Sequence, residues 1–310
     1  MYSHKPVLLS EVITLLTPER GGVFVDGTLG GGGHAQAVLE RLPESGRLVG
    51  IDRDMEAIQF AEERLKEYGG RFTAIRGNFF EMRSLLAPLG IEQANGILLD
   101  LGVSSRQLDT AERGFSYKMD APLDMRMDRG AELSAYDVVN GYSWEELCRV
   151  LREYGEERFA DRIASRIVRA RMERPVESTE ELAALAISGI PAKYRGEAQH
   201  PARRTFQAIR IEVNGEISGL SAAVDEAHGL LQKGGRLCII TFHSLEDRIV
   251  KQAFRRYADP CTCEKSAPVC ICGKTPTARI LTKRPIICSE REREQNSRAA
   301  SAKLRCIQKL

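Results

Sequence analysis

The sequence lacks any apolar run approaching the roughly 18–20 residues that cross a membrane. Its first residues, Met1-Tyr-Ser-His-Lys-Pro6, lack the apolar core of a secretory leader. On both grounds the chain reads as cytoplasmic. It also lacks an excess of one charge: 45 Lys and Arg face 43 Asp and Glu, a formal net of +2. Nucleic-acid binding must then rest on local basic patches. No internal repeat is evident, and the only biased segment is the charged stretch Ser289–Arg298. A reducing compartment excludes a disulfide framework for the eight cysteines. Four of them, Cys148, Cys238, Cys288 and Cys306, stand singly and read as small core or surface residues. With 310 residues, there is chain enough for one large or two moderate domains.

What the chain does have is Asp26-Gly-Thr-Leu-Gly-Gly-Gly-Gly-His34, set between the apolar run Val23–Val25 and a helix-like run from Ala35. A strand that breaks into glycines and restarts as a helix cradles a nucleotide-like ligand, because the backbone can turn tightly and approach it. The helix start adds unpaired N–H groups. Asp52 ends the next apolar run, about 20 residues on, where an acid suits a ribose hydroxyl pair. A dinucleotide G-x-G-x-x-G fits only with the wrong spacing. The acid directly before the glycines, Asp26, resembles the first motif of S-adenosylmethionine (SAM) methyltransferases.

Strands are predicted at 23–26, 47–52, 72–76 and 96–101, with helices at 35–41, 55–68 and 81–89. This alternation predicts an α/β fold with a parallel sheet, helices on both faces and a ligand beyond the carboxyl strand ends. Asp26, Asp52, Asn78-Phe79 and Asp100 fall at such ends. From about residue 110 the pattern turns helical. In a helix over 156–172, Phe159, Ile163 and Ile167 form one stripe and Arg158, Arg162 and Arg166 another. Ser178-Thr-Glu-Glu181 reads as a capping box. After Asn214 come a helix to Leu231, a turn at Gly234-Gly235, a strand 236–241, a helix 245–257 and strands 278–282 and 302–308. The reading is a helical insertion, 110–211, in a discontinuous core, 1–109 and 212–310.

Other constellations are less committal. Asp100 suits either an amine nucleophile or a turn cap. The segment His200–Arg210 offers Arg203, Arg204 and Arg210 for phosphates with Phe206 for stacking, or else a solvated basic helix face. His243, with Ser244 capping and Asp247 at the third helical position, is either a helix start or the substrate side of a pocket. Cys261-Thr-Cys263 and Cys270-Ile-Cys272 suit a structural zinc, although C-x₂₋₄-C is the commoner spacing; the alternative is a reduced loop with reactive thiols. Met119, Met125 and Met127 with Phe115 and Tyr117 suit a pocket or plain packing, and Arg113 and Arg126 beside them suit phosphate contacts.

The stretches His4–Leu9, Asp26–His34, Gly50–Asp54, Gly96–Gln107, Glu112–Ser116, Pro122–Asp128, Tyr154–Ala160, His200–Arg210 and Phe242–Lys251 resemble in order the RsmH (MraW) family of SAM-dependent methyltransferases, and the cysteine loop is not part of that pattern. The resemblance covers nearly the whole chain. It implies a class I methyltransferase core with a helical insertion that recognises RNA. It also implies methylation of the N4 amine of a cytidine in the decoding region of 16S rRNA, within the 30S subunit. Carried over by motif, Gly32, Gly33 and His34 contact SAM, Asp52 holds the ribose, Phe79 lies against the adenine, and Asp100 and Gln107 complete the cofactor site. Many amino-methyltransferases follow the strand-four acid or amide with Pro-Pro-aromatic; here it reads Asp100-Leu-Gly-Val. Stacking on the base then falls to Phe115, Tyr117 or His243. The rival readings are a DNA or small-molecule methyltransferase, a non-catalytic RNA-binding protein and an NAD oxidoreductase. Hydride-transfer residues for the last are not identifiable.

Overall fold

The computed structural model describes residues 6–196, 200–264 and 269–310, apart from the side chain of Ser105. His4 and Lys5 of the first matching stretch lie outside the described residues. In chain order the helices are α1 (Leu9–Leu16), α2 (Gly33–Leu39), α3 (Met55–Leu65), α4 (Met82–Leu86), α5 (Ser105–Asp109), α6 (Ala135–Gly141), α7 (Trp144–Glu153), α8 (Ala160–Arg171), α9 (Thr179–Gly189), α10 (Arg203–Asn214), α11 (Leu220–Leu230), α12 (Ser244–Ala258) and α13 (Glu290–Gln295). The strands are β1 (Val23–Asp26), β2 (Arg47–Asp52), β3 (Phe72–Arg76), β4 (Ala94–Asp100), β5 (Leu231–Thr241), β6 (Ala278–Ile280) and β7 (Lys303–Lys309). They fall into two units, 1–102 with 217–310, and 103–216.

The first unit is a seven-stranded sheet of order β3-β2-β1-β4-β5-β7-β6. β7 pairs antiparallel with both β5 and β6, and the other pairings are parallel. It is an α/β sheet of the doubly wound, Rossmann-like kind with one antiparallel strand near its edge. Successive strand residues point to opposite faces, and the core splits accordingly. Phe24, Leu98, Cys238 and Ile240 pack with α1, α2 and α3. Val25, Ile97, Leu99, Leu237 and Ile239 pack with α4, α11 and α12. Both faces being covered, these strands read as continuous apolar runs.

The second unit is helical, and its core draws only on residues from Phe115 to Val213. Three of its helices start at capping boxes, Ser134 with Asp137, Ser143 with Glu146, and Ser178 with Glu181. The helix expected over 156–172 begins only at Ala160, because Glu156 has φ +47° and the Glu157 carboxylate accepts the Phe159 N–H. Arg158 therefore precedes the helix. Likewise the turn expected at Gly234-Gly235 lies inside β5, which starts at Leu231 and shifts register against Ala94 and Gly96.

Candidate active site

Strand order reverses direction of progress between β1 and β4, so the crevice of the first unit lies beyond their carboxyl ends. Three acids end strands there: Asp26 on β1, Asp52 on β2 and Asp100 on β4. A fourth, Glu246, sits in the first turn of α12 just past β5. Thr28 knits the first and third together. Its N–H donates to Asp26 Oδ1 at 3.1 Å, while its hydroxyl accepts the Asp100 N–H at 2.6 Å and donates to Asp26 Oδ1 at 3.4 Å. The Asp52 oxygens accept the N–H of Gly30 at 2.7 Å and of Asp54 at 2.9 Å. That bond fixes the glycine loop to the end of β2.

Burial pushes the Asp26 carboxyl up from 3.8 to about 7; the Thr28 N–H opposes this and Asp52 adds to it. Asp52 is raised too, by burial, against the Asp54 and Gly30 N–H groups. Asp100 is raised well above the usual range by burial, then by Asp26 and Glu246. Asp26 and Asp100 have no Lys or Arg ion pair among the described residues. Asp100 Oδ1 is closed to water and has no hydrogen-bond partner, while a quarter of the side chain stays open elsewhere. Like charges crowded without a counter-ion are costly. The donor set thus fits a ligand that brings positive charge, as the sulfonium and ammonium of SAM do.

His34 reinforces this. Its Nε2 lies 2.9 Å from the Val7 carbonyl, which can only accept, so Nε2 carries the proton. Nδ1 then faces Asp100 Oδ2 at 3.7 Å as a lone pair. Burial lowers the ring to about 4, so it is neutral and gives the acids no charge.

The profile of the MraW methylase family matches residues 1–310. The chain belongs to the MraW methylase family. It is 53% identical over 309 residues to the ribosomal RNA small subunit methyltransferase H of Geobacter sulfurreducens, covering 100% of this chain and 99% of the relative. To the protein of the same name in Clostridium botulinum it is 53% identical, with the same coverage. To that of Symbiobacterium thermophilum it is 52% identical, covering 100% and 97%.

The MraW-type motifs land in different kinds of place. Gly32 takes φ +72°, and an added Cβ would lie 3.3 Å from Ala61 and Leu65; at Gly33 it would lie 2.5 Å from Pro6. The left-handed backbone at Gly32 and the close approach of Pro6 at Gly33 each favour glycine. Phe79 follows β3 and packs edge-on against Phe80, its Cβ 3.1 Å from where a Cβ on Gly27 would stand. Gln107 belongs to the second unit, where it accepts the Ser104 N–H in the capping box of α5.

Around β5 the expected cap is off by one. The N-cap is His243 rather than Ser244, with Glu246 rather than Asp247 at the third position. Glu246 Oε2 accepts the Phe242 N–H at 2.7 Å, and its Oε1 lies 3.0 Å from His243 Nε2. Asp247 turns away to Arg305 and Lys303.

In the second unit Arg113 is buried and donates to the carbonyls of Arg126 and Met127, so it is a core residue rather than an open phosphate contact. Arg126 pairs with Asp124, and Met125 and Met127 are core. Arg210 pairs with Glu216 through two 2.9 Å bonds. Phe206 is buried against Tyr117, which stacks on His200 at 4.3 Å. Arg203 and Arg204 open α10; Arg204 is exposed and reaches the Glu156 carbonyl at 3.4 Å. Sequence reasoning misses Thr28 and Glu246. Thr28 has no periodic signal, and Glu246 becomes visible only once His243 is taken as the cap.

No helix among the described residues is long and apolar enough to cross a membrane.

Proposed function

We propose that this protein transfers the methyl group of SAM to the N4 amine of a cytidine in the decoding region of 16S rRNA, in the small ribosomal subunit. The observation that carries the cofactor is the set of carboxylates at the ends of β1, β2 and β4, one buried and two half-buried, without basic partners for Asp26 and Asp100. The acceptor rests on the resemblance and on relatives named ribosomal RNA small subunit methyltransferase H.

When bound, SAM supplies an electrophilic methyl group on a positively charged sulfur. Asp26 and Asp100 place negative charge toward that cation. Asp52 keeps lone pairs for a ribose hydroxyl pair after accepting from Gly30 and Asp54. Cytosine N4 is conjugated with its ring and is a poor nucleophile, so positioning contributes most. Asp100, a quarter of whose side chain stays open, is the group assigned to accept an amine hydrogen. His243 and Glu246 cap α12 beside it and act as positioning residues. The target base must leave its stack to arrive.

The helical unit is assigned to the RNA. Arg162, Arg166 and Arg169 are exposed along one face of α8 and have no acidic partner among the described residues. Such a row suits phosphates; Arg203 and Arg204 add to the basic character. The four-cysteine loop takes no part in the transfer.

The test supplies tritiated-methyl SAM with 30S particles, naked 16S rRNA or DNA, and digests the product to nucleosides. Label is expected in N4-methylcytidine from the rRNA. Label in another nucleoside or in DNA would refute the assigned acceptor, and RNA binding without transfer would favour a non-catalytic role.

A further inference from the structure

Between α12 and β6 the described residues form neither helix nor strand. The ends of this loop are tied, since the Thr277 N–H donates to the Tyr257 carbonyl at 2.8 Å. A connection this long without helix or strand among its described residues usually has a function or a staple. Its interior instead gathers four thiols. The Sγ atoms of Cys261, Cys263, Cys270 and Cys272 all lie within 4.8 Å of one another. Four of the pairs measure 3.6 Å (Cys261–Cys270), 3.8 Å (Cys263–Cys270), 3.5 Å (Cys270–Cys272) and 3.8 Å (Cys261–Cys272).

We infer that these four cysteines form a tetrahedral tetrathiolate site for one Zn²⁺ ion that staples the loop. The distances are the first argument. With Zn–S bonds of about 2.3 Å, a tetrahedron has edges of about 3.8 Å. A four-iron cluster takes one thiolate per iron and a two-iron cluster takes two, so either would hold at least some of the four sulfurs farther apart than the 4.8 Å within which all of these lie. Exposure is the second. Cys261 and Cys270 are exposed and the other two only half-buried, so no apolar cover holds the thiols together, and as thiolates they would repel.

The surrounding backbone is the third argument. The Ile271 N–H donates to Cys263 Sγ at 3.3 Å. The backbone N–H groups of Thr262 and Lys274 point to Cys272. Gly273, with φ +65°, makes the turn that brings Lys274 back to that sulfur. N–H donors aimed at sulfur support metal-bound thiolates. Soft thiolate donors in a tetrahedral set select zinc over magnesium or calcium.

The inference is independent of the methyl-transfer reading, and its test keeps the two apart. Full-length protein, purified from zinc-replete medium without chelators or a metal-affinity tag, is analysed for metals beside a Cys263→Ser/Cys270→Ser variant. About one zinc per chain is expected in the wild type and none in the variant. Removing the ion should speed amide exchange in residues 259–277 by about tenfold or more while leaving β1 and β4 unchanged. Calorimetric SAM binding should be the same for both proteins, which shows that the variant folds. Iron in place of zinc, zinc far below one equivalent, zinc retained by the variant, or cysteines recovered as disulfides would overturn it. Cobalt loaded in place of zinc should give the intense absorption of a tetrahedral thiolate site; a weak octahedral spectrum would also overturn it.

Discussion

Asp26 carries a carboxyl that burial holds up at about 7 instead of 3.8. A raised acid contributes stability that is complete below 3.8 and is lost as pH climbs through 7, since the folded state resists losing the proton. In that window the loss approaches about 1.4 kcal/mol per pH unit. Asp26→Asn should therefore melt higher than wild type at pH 8 and much as wild type does at pH 4, without ligand. A cationic ligand reverses the preference, because it favours the ionised acid. SAM affinity of the wild type should rise between pH 6 and 8, and that of the variant should rise less. Parallel affinity profiles from calorimetry would remove Asp26 from the cation's surroundings. The acids are legible in the sequence because each ends an apolar run. Thr28, which bonds both Asp26 and the Asp100 N–H, is not, because its partner lies 72 residues away.

At the scale of elements, two of the motif stretches prove to be strapped to each other. Gly114 sits at φ +68°, and a Cβ there would lie 2.4 Å from the Pro122 carbonyl oxygen and 2.9 Å from the Asp124 nitrogen. Both are backbone atoms and cannot swing aside. The left-handed backbone and the overpacking together predict a loss of about 2–4 kcal/mol for Gly114→Ala. Denaturant unfolding followed by far-ultraviolet circular dichroism checks this; an unchanged midpoint would mean that residues 113–114 do not approach 122–125 so closely. The Ser178 capping box and strands β1 to β3 are plain in the sequence, since caps and apolar runs are local signals. The start of α8 is not, because Gly155 and Glu156 interrupt a periodicity that continues on either side. An added Cβ at Gly155 would lie 2.7 Å from the Leu151 carbonyl oxygen.

At the scale of the molecule, the two units have separate cores. Every buried hydrophobic residue of the helical core lies within 115–213, and the two faces of the sheet are closed by residues outside that span. A fragment of residues 103–216 is long enough to bury its own core. Expressed alone it should show helical circular dichroism and one cooperative melting transition. A broad, non-cooperative melt would show that it depends on the sheet. An inserted helical segment is legible as a change of hydrophobic period near residue 110. Its observed limits at 103 and 216 are not, because the Arg210–Glu216 pair and α5 join it by contacts rather than by pattern. The sequence by itself determined the alternating α/β order, the acids at the strand ends and the family, because periodicity, caps and ordered motifs are local in the chain. Only the tertiary structure decided that Arg113 and Arg210 are spent internally, that Glu246 joins the buried acids and that four thiols meet at tetrahedral distances. Charge compensation, desolvation and ligand geometry depend on neighbours that the chain brings together only by folding.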